Sequence, residues 1–169
     1  MMIISITLLI ISFLLQGTIS NVIGYPPTDT SIFFTIYPII ALLILYPHFE
    51  NRNKFLLLIA IFGILTDLVY SNTFIFNTCL FYIIYIMNKG FHFFFPYNIF
   101  TISISSLLAI YTYHVITFLF LILLNFGNYN FIMLVNSLIN STIMTIVFTI
   151  IMYSIVNFLK QHFDLKEVK

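Results

Sequence analysis

Residues 60–74, AIFGILTDLVYSNTF, form the segment that decides how this chain is interpreted. It is an apolar run with one glycine, Gly63, and one carboxylate, Asp67, and it breaks into a short polar turn at 71–73 before apolar sequence resumes. Asp67 is the only acidic residue that we place inside an apolar span. Whether this acid is unusual depends on whether the span lies in water or in a lipid bilayer. The composition of the whole chain indicates which of the two applies.

The composition is that of an integral membrane protein. Of the 169 residues, 62% are hydrophobic and only 7% are charged, and the mean hydropathy is +1.12, so the chain cannot cover itself with a solvated surface. Little sequence remains for a soluble domain once the apolar runs are subtracted. An ionisable residue at membrane depth is costly and commonly functional, and Asp67 therefore becomes the first candidate for a functional site.

Charge and motifs exclude several classes of function. A net charge of +1, with six scattered Lys and Arg residues against five Asp and Glu, does not indicate a nucleic-acid-binding surface. The single cysteine, Cys79, cannot form an internal disulfide, and we interpret it as a core residue. The chain carries no phosphate-binding glycine loop, no His-Glu-x-x-His motif and no pair of acids within the membrane. We therefore predict a non-enzymatic protein without metal or cofactor.

Six apolar runs predict an all-α, polytopic membrane protein with one membrane-embedded domain over residues 1–169. A helix that crosses a hydrocarbon core of about 30 Å needs about 20 apolar residues. The predicted spans are residues 2–20, 31–46, 55–70, 74–87, 98–124 and 131–159. We expect the first run to be a retained span rather than a cleaved signal peptide, because no Lys or Arg precedes it.

Two features are expected to shape individual spans. Pro38 lies inside the second span and predicts a kink there. The polar residues 88–90 are expected to end the fourth span, and the aromatic residues 91–97 then predict a segment at the membrane interface.

The basic residues predict the orientation of the chain. All six lie in the segments that follow the second, fourth and sixth spans. They are Arg52 and Lys54 after the second span, Lys89 after the fourth, and Lys160, Lys166 and Lys169 after the sixth. The three connections without Lys or Arg are residues 21–30, 71–73 and 125–130. Since basic residues favour the cytoplasmic side, we predict six spans with both termini in the cytoplasm. Asp67 then lies near the outer end of the third span, away from every basic residue of its own chain.

The carboxylate of Asp67 must be satisfied by neutral donors, by a partner protein or by protonation. One neutral solution is local, because the fourth span begins just after Ser71 and Asn72, and a helix start offers free N–H groups. This structural role and a role in binding a partner stay open at this point. His114, in the fifth span with Tyr111 and Tyr113 beside it, is interpreted as a neutral core histidine rather than a proton relay or a metal ligand.

A polar stripe on the sixth span is predicted at the same depth as Asp67. Asn136 and Asn140 are four residues apart, as are Ser137 and Ser141, so each pair follows one helix face. Such residues are expected to join helices to one another, and the alternative is a ligand pocket. The predicted clasp, for partner binding or for structure, comprises Gly63, Asp67, Ser71, Asn72, Asn77, Asn136 and Asn140.

The segment FGILTDLVY at 62–70, followed by an apolar run with Asn77 and Tyr82, resembles the Gly-apolar-apolar-x-Asp signature of the bacterial rod shape-determining MreD family. Chain length, the six-span layout and the basic loop before the third span are also similar to that family. One position departs from the pattern: family members often carry a second glycine early in the fourth span, where this chain has Ile75.

The resemblance implies a non-enzymatic subunit of the cell-elongation machinery in the bacterial cytoplasmic membrane. Its expected partners are membrane lipid, an MreC-like single-span scaffold and, near the MreB filament, RodA and a class B penicillin-binding protein. It also implies the fold of the substrate-binding subunits of energy-coupling-factor transporters.

Those vitamin-binding subunits supply the alternative function, because they are six-span proteins of similar size. They dock through small residues four apart in the first span, often as Ala-x-x-x-Ala. Here the first span has Ser5 and Ser12 but no such pair, and the chain has no tryptophan with which to grip a vitamin. Both observations favour the shape-protein interpretation.

Overall fold

The computed structural model describes residues 2–23, 36–49, 51–71, 73–124 and 130–163. These residues form helices joined by short connections, which confirms the all-α class for the part of the chain that is described. The helices are α1 (Met2–Ile23), α2 (Tyr37–Leu45), α3 (Arg52–Thr66), α4 (Phe76–Phe94), α5 (Ile99–Leu123) and α6 (Phe131–Phe163). A 3₁₀ turn, Tyr46–His48, follows α2, and a π-helical turn, Asp67–Ser71, follows α3.

Length and hydropathy support a membrane protein. Within the described ranges, three helical segments are long and apolar enough to cross a bilayer: Arg52–Ser71, Ile99–Leu123 and Phe131–Gln161. Ile4–Thr18 and Tyr37–His48 are shorter apolar helices. Large apolar side chains, among them Leu68, Phe74 and Phe93, are exposed on the outside of the protein, as is suitable for contact with lipid. The count of six spans and their orientation stay predictions.

Helix α2 is the centre of the bundle. All nine of its residues are buried, and it packs against α1, α4, α5 and α6. A helix that is apolar on every side can be buried in this way without leaving a polar group unpaired. Its first residue, Tyr37, places its ring 4.5 Å from that of Phe148 on α6.

The prediction that Pro38 kinks the second span is wrong. The described helix begins at Tyr37, so that Pro38 lies in its first turn. A proline is tolerated there because the first N–H groups of a helix have no partner within the helix. Residues 31–35 of the predicted span lie outside the described residues.

The helix that contains the fourth predicted span does not end at residues 88–90. Helix α4 continues through Gly90 to Phe94, and Phe95 is extended, with φ −118° and ψ 136°. A single helical glycine costs only about 1 kcal/mol relative to alanine. The next residue, Pro96, instead stops the helix, because proline disfavours the α conformation of the residue before it. Much of the predicted interfacial segment 91–97 is therefore helical.

Candidate functional site

The hairpin of α3 and α4 contains the predicted site. Helix α3 runs without interruption into the π-helical turn Asp67–Ser71. The backbone carbonyl of Asp67 accepts the N–H of Thr73 at 3.3 Å, which draws the chain back toward the end of α3. π-Helical turns are uncommon and occur frequently at functional sites. Here the turn lies where the chain reverses into α4.

The carboxylate of Asp67 is fully engaged by neutral donors of the same hairpin. Oδ1 accepts the Thr73 hydroxyl at 2.6 Å, the backbone N–H of Asn77 at 2.9 Å and Nδ2 of Asn77 at 3.0 Å. Oδ2 accepts the backbone N–H and the hydroxyl of Thr78, both at 3.2 Å. Asp67 is only 1% exposed, and these bonds compensate a buried carboxylate without a cation.

Asp67 also supplies the N-terminal cap of α4. The capping position is Ile75, whose side chain offers no hydrogen bond to the helix. The N–H groups of Asn77 and Thr78, in the first turn of α4, point at Asp67 instead. A carboxylate there satisfies orphan donors and faces the positive end of the helix dipole.

The backbone of Ile75 is left-handed, with φ 65° and ψ −6°. Among the described residues it is the one non-glycine with positive φ. Such a conformation is unfavourable for a β-branched residue and is normally occupied by glycine.

Gly63 allows α3 and α4 to approach closely. A Cβ at this position would stand 2.6 Å from Cα of Thr78 and 2.8 Å from its Oγ1. Only glycine fits that contact without displacement of a backbone. Because Thr78 also donates to Asp67, the close approach and the carboxylate bonds depend on each other.

Asn77 extends the cluster to a third helix. Its Nδ2 group donates to both Asp67 and the hydroxyl of Ser71, while its Oδ1 accepts the hydroxyl of Tyr113 on α5 at 2.6 Å. Asn77 is fully buried, and it is the centre of the network because it bonds to Asp67, Ser71 and Tyr113. We call Gly63, Asp67, Ser71, Thr73, Asn77, Thr78 and Tyr113 the hairpin clasp.

The structure brings together four of the predicted site residues: Gly63, Asp67, Ser71 and Asn77. Asn72 lies outside the described residues. Asn136 and Asn140 are half-buried on α6, and no clasp bond within the described chain involves them. The buried polar face of α6 is instead formed by Ser137, Ser141, Thr145 and Thr149.

Sequence reasoning missed Thr73, Thr78 and Tyr113. Thr73 belongs to the polar turn that the sequence already marks, and Thr78 is three residues after the capping position, where a free N–H is expected. No pattern in the sequence identifies Tyr113, because its contact with Asn77 spans 36 residues.

A pocket of about 310 Å³ borders the clasp between α5, α6 and the π-helical turn. Ser71 and Tyr113 belong to both the clasp and the pocket wall. The pocket is also lined by His114, Thr117, Ser137 and apolar residues of α5 and α6. Polar side chains thus line an open pocket next to the buried carboxylate.

The clasp is suited to holding two helices in a defined geometry. The described donors occupy both oxygens of Asp67, and among the residues that the structure describes no group of three His, Cys, Asp or Glu could hold a metal ion. No protein-family model, curated protein or solved structure matches this chain. Its function is therefore inferred from the residues and geometry given above.

Proposed function

We propose that this protein is a membrane subunit of a bacterial cell-elongation complex. In this role it binds an MreC-like scaffold and supports peptidoglycan synthesis along the lateral wall by holding partners, without catalysing a reaction. The location is the cytoplasmic membrane, with both termini inside. RodA and a class B penicillin-binding protein are further partners in this proposal.

The observation that carries the proposal is the backbone of Ile75. The family pattern places a second glycine at this point, early in the fourth span, and the chain here adopts the left-handed conformation that glycine favours. The Gly63–Asp67 signature lies directly against the same turn, through Thr78. A backbone conformation that glycine favours, at the position where family members often carry a glycine, supports a hairpin of the kind that the family pattern implies.

The test is recovery of partners from membranes of the native cells. A tagged chain is solubilised in mild detergent, and the proteins that accompany it are identified by mass spectrometry, with a tagged unrelated polytopic protein as the control. The proposal predicts an MreC-like single-span protein in the first sample and not in the control. Recovery of transporter ATPase subunits and a vitamin, without that scaffold, overturns the proposal.

The alternative, a substrate-binding subunit of a vitamin transporter, is favoured by one observation. The pocket beside the clasp has several polar side chains in its wall, including Tyr113, His114 and Thr117, and concave sites with a few polar groups are typical of small-molecule binding. Extraction of the purified protein followed by metabolite mass spectrometry tests this alternative. A stoichiometric vitamin that is lost in Thr117→Phe, but retained in Ser154→Phe on the outside of α6, would support transport.

A further inference from the structure

A second concave surface lies on the other half of α4, against α5. This α4/α5 groove has a volume of about 350 Å³ and is almost entirely apolar. Its lining includes Met87, Asn88 and Gly90 on α4 and Ser105, Leu108 and Ala109 on α5. None of them belongs to the hairpin clasp.

Asn88 is the unexplained group of this groove. Its side chain is only 4% exposed, and neither its amide nitrogen nor its amide oxygen has a hydrogen-bond partner. A buried primary amide without partners is costly, and most such groups in folded proteins are paired. The groove therefore contains a buried polar group that the described part of the chain leaves unpaired.

Three small residues, Gly90, Ser105 and Ala109, contribute to the lining of the groove beside larger apolar ones. No heavy atom lies within 4 Å of the position that a Cβ would take on Gly90, and Ser105 and Ala109 lie one helical turn apart on the facing helix. Small residues of this kind let the backbone of a second helix approach closely in a membrane. The side walls are apolar and include the exposed side chains of Met87 and Leu108.

These features favour a helix over a lipid chain as the occupant. An acyl chain fills apolar space but offers no hydrogen bond to an amide, and it needs no small residues in the lining. A transmembrane helix requires the small residues and can bring a polar side chain to any depth. We propose that the α4/α5 groove binds the transmembrane helix of a single-span partner, which presents a polar side chain to Asn88. This inference deepens the proposed function and rests on it for the identity of the partner.

Site-specific photo-crosslinking in native cells tests the groove. A benzophenone amino acid replaces Leu108 at the groove and, as the control, Leu123 at the exposed far end of α5. The expected result is an adduct from position 108, absent from position 123, whose crosslinked peptide lies in the apolar segment of a single-span protein. Adducts from position 108 with lipid only, with a second copy of this chain only, or with nothing overturn the inference.

Two variants separate docking from folding. Gly90→Leu fills open space and Asn88→Leu removes the unpaired amide, so that each leaves the thermal midpoint of the free protein unchanged or raises it. Each is expected to abolish the adduct from position 108. Ser154→Leu, on the exposed face of α6, adds similar bulk elsewhere and is expected to preserve it. An adduct of undiminished yield in Gly90→Leu contradicts the inference.

The same experiments distinguish a failure of the groove assignment from a failure of the proposed function. If the MreC-like scaffold copurifies but position 108 gives no adduct, the groove assignment fails and the proposed function stands. If position 108 crosslinks a single-span protein that has no part in cell elongation, and Gly90→Leu abolishes this adduct, the groove assignment stands and the proposed function fails.

Discussion

At the scale of single residues, Asp67 is a structural acceptor inside the hairpin. It is buried, and its described bonds come from residues 73–78, so its side chain is not presented to the outside. An isolated acid in an apolar span suggests proton or ion handling when only the sequence is considered. The geometry favours a clasp, and any effect of Asp67 on a partner would act through the shape of the hairpin.

Replacement of Asp67 by asparagine tests this role. The new side-chain oxygen can keep the bonds from Thr73 and Asn77, but the new amide group faces the N–H of Thr78. We expect Asp67→Asn to fold, to lose about 1–3 kcal/mol of unfolding free energy and to weaken the partner complex or cell elongation. Reversible unfolding in detergent and the amount of copurified partner measure the two effects.

Asn140→Ala is the comparison for Asp67→Asn, because Asn140 is half-buried and outside the clasp. It is expected to change the unfolding free energy by less than Asp67→Asn. Unchanged unfolding and unchanged copurification in Asp67→Asn would remove Asp67 from the functional residues.

Replacement of Ile75 by glycine is expected to stabilise the protein. Because a left-handed β-branched residue is strained by about 1–2 kcal/mol, Ile75→Gly is expected to raise the unfolding free energy by about 1 kcal/mol after the entropic cost of glycine. Ile83→Gly is the matched control, since Ile83 is 41% exposed and Ile75 is 44% exposed. Ile83 is helical, so its replacement should lower stability by about 1 kcal/mol. Equal losses from both variants would show that the backbone of Ile75 is not strained.

At the scale of elements, α3 and α4 behave as one unit. The glycine contact at Gly63, the cap on α4 and the π-helical turn all depend on the same pair of helix ends. Tyr70 in that turn also donates to the carbonyl of Phe13 at 2.6 Å, which joins the hairpin to α1. A displacement of α4 would therefore disturb the carboxylate bonds and the contact with α1 together.

Gly63→Ala tests the coupling of the two helices. Its Cβ would meet the backbone of Thr78, and overpacking of this kind typically costs about 1–3 kcal/mol. Gly90→Ala, in open space on α4, is the control and is expected to gain about 1 kcal/mol from helix propensity. Both glycines are helical, so the gain in helix propensity from alanine is similar in the two variants. The difference between their unfolding free energies therefore reports the contact at Gly63. A Gly63→Ala variant as stable as Gly90→Ala would contradict the close contact.

At the scale of the whole molecule, the bundle is held by an apolar centre and by hydrogen bonds between helices. Helix α2 fills the centre. The hydroxyls of Ser106 on α5 and Thr149 on α6 lie 2.9 Å apart, and those of Tyr111 and Thr142 lie 2.7 Å apart. Each such bond contributes about 0.6 kcal/mol in a membrane protein. Many weak interactions together therefore stabilise the arrangement of the helices.

The predicted orientation is tested by labelling introduced cysteines in a Cys79→Ser background. A membrane-impermeant maleimide added to intact cells should react with Asn130→Cys, in the predicted outer connection. It should react with Asn53→Cys and Gln161→Cys only after the membrane is permeabilised. All three positions are exposed. Labelling of Asn53→Cys in intact cells would contradict the six-span topology with both termini inside.

The sequence by itself determined the all-α, apolar class of this protein and the rough positions of its helices, and it singled out Gly63 and Asp67. These follow from hydropathy and from one carboxylate in an apolar run, which are local properties of the chain. The ends of α2 and α4 were less predictable, because Pro38 is tolerated in a first turn and Gly90 is tolerated inside a helix.

Only the tertiary structure decided which residues of α5 and α6 join the clasp and the buried interior. The bond from Tyr113 to Asn77 and the burial of Ser141 and Thr149 in place of Asn136 and Asn140 depend on how α4, α5 and α6 are packed. Helical spacing shows which residues share a face, but it does not show which face turns inward. In an apolar chain every face is compatible with lipid, so that choice is made by contacts between distant segments.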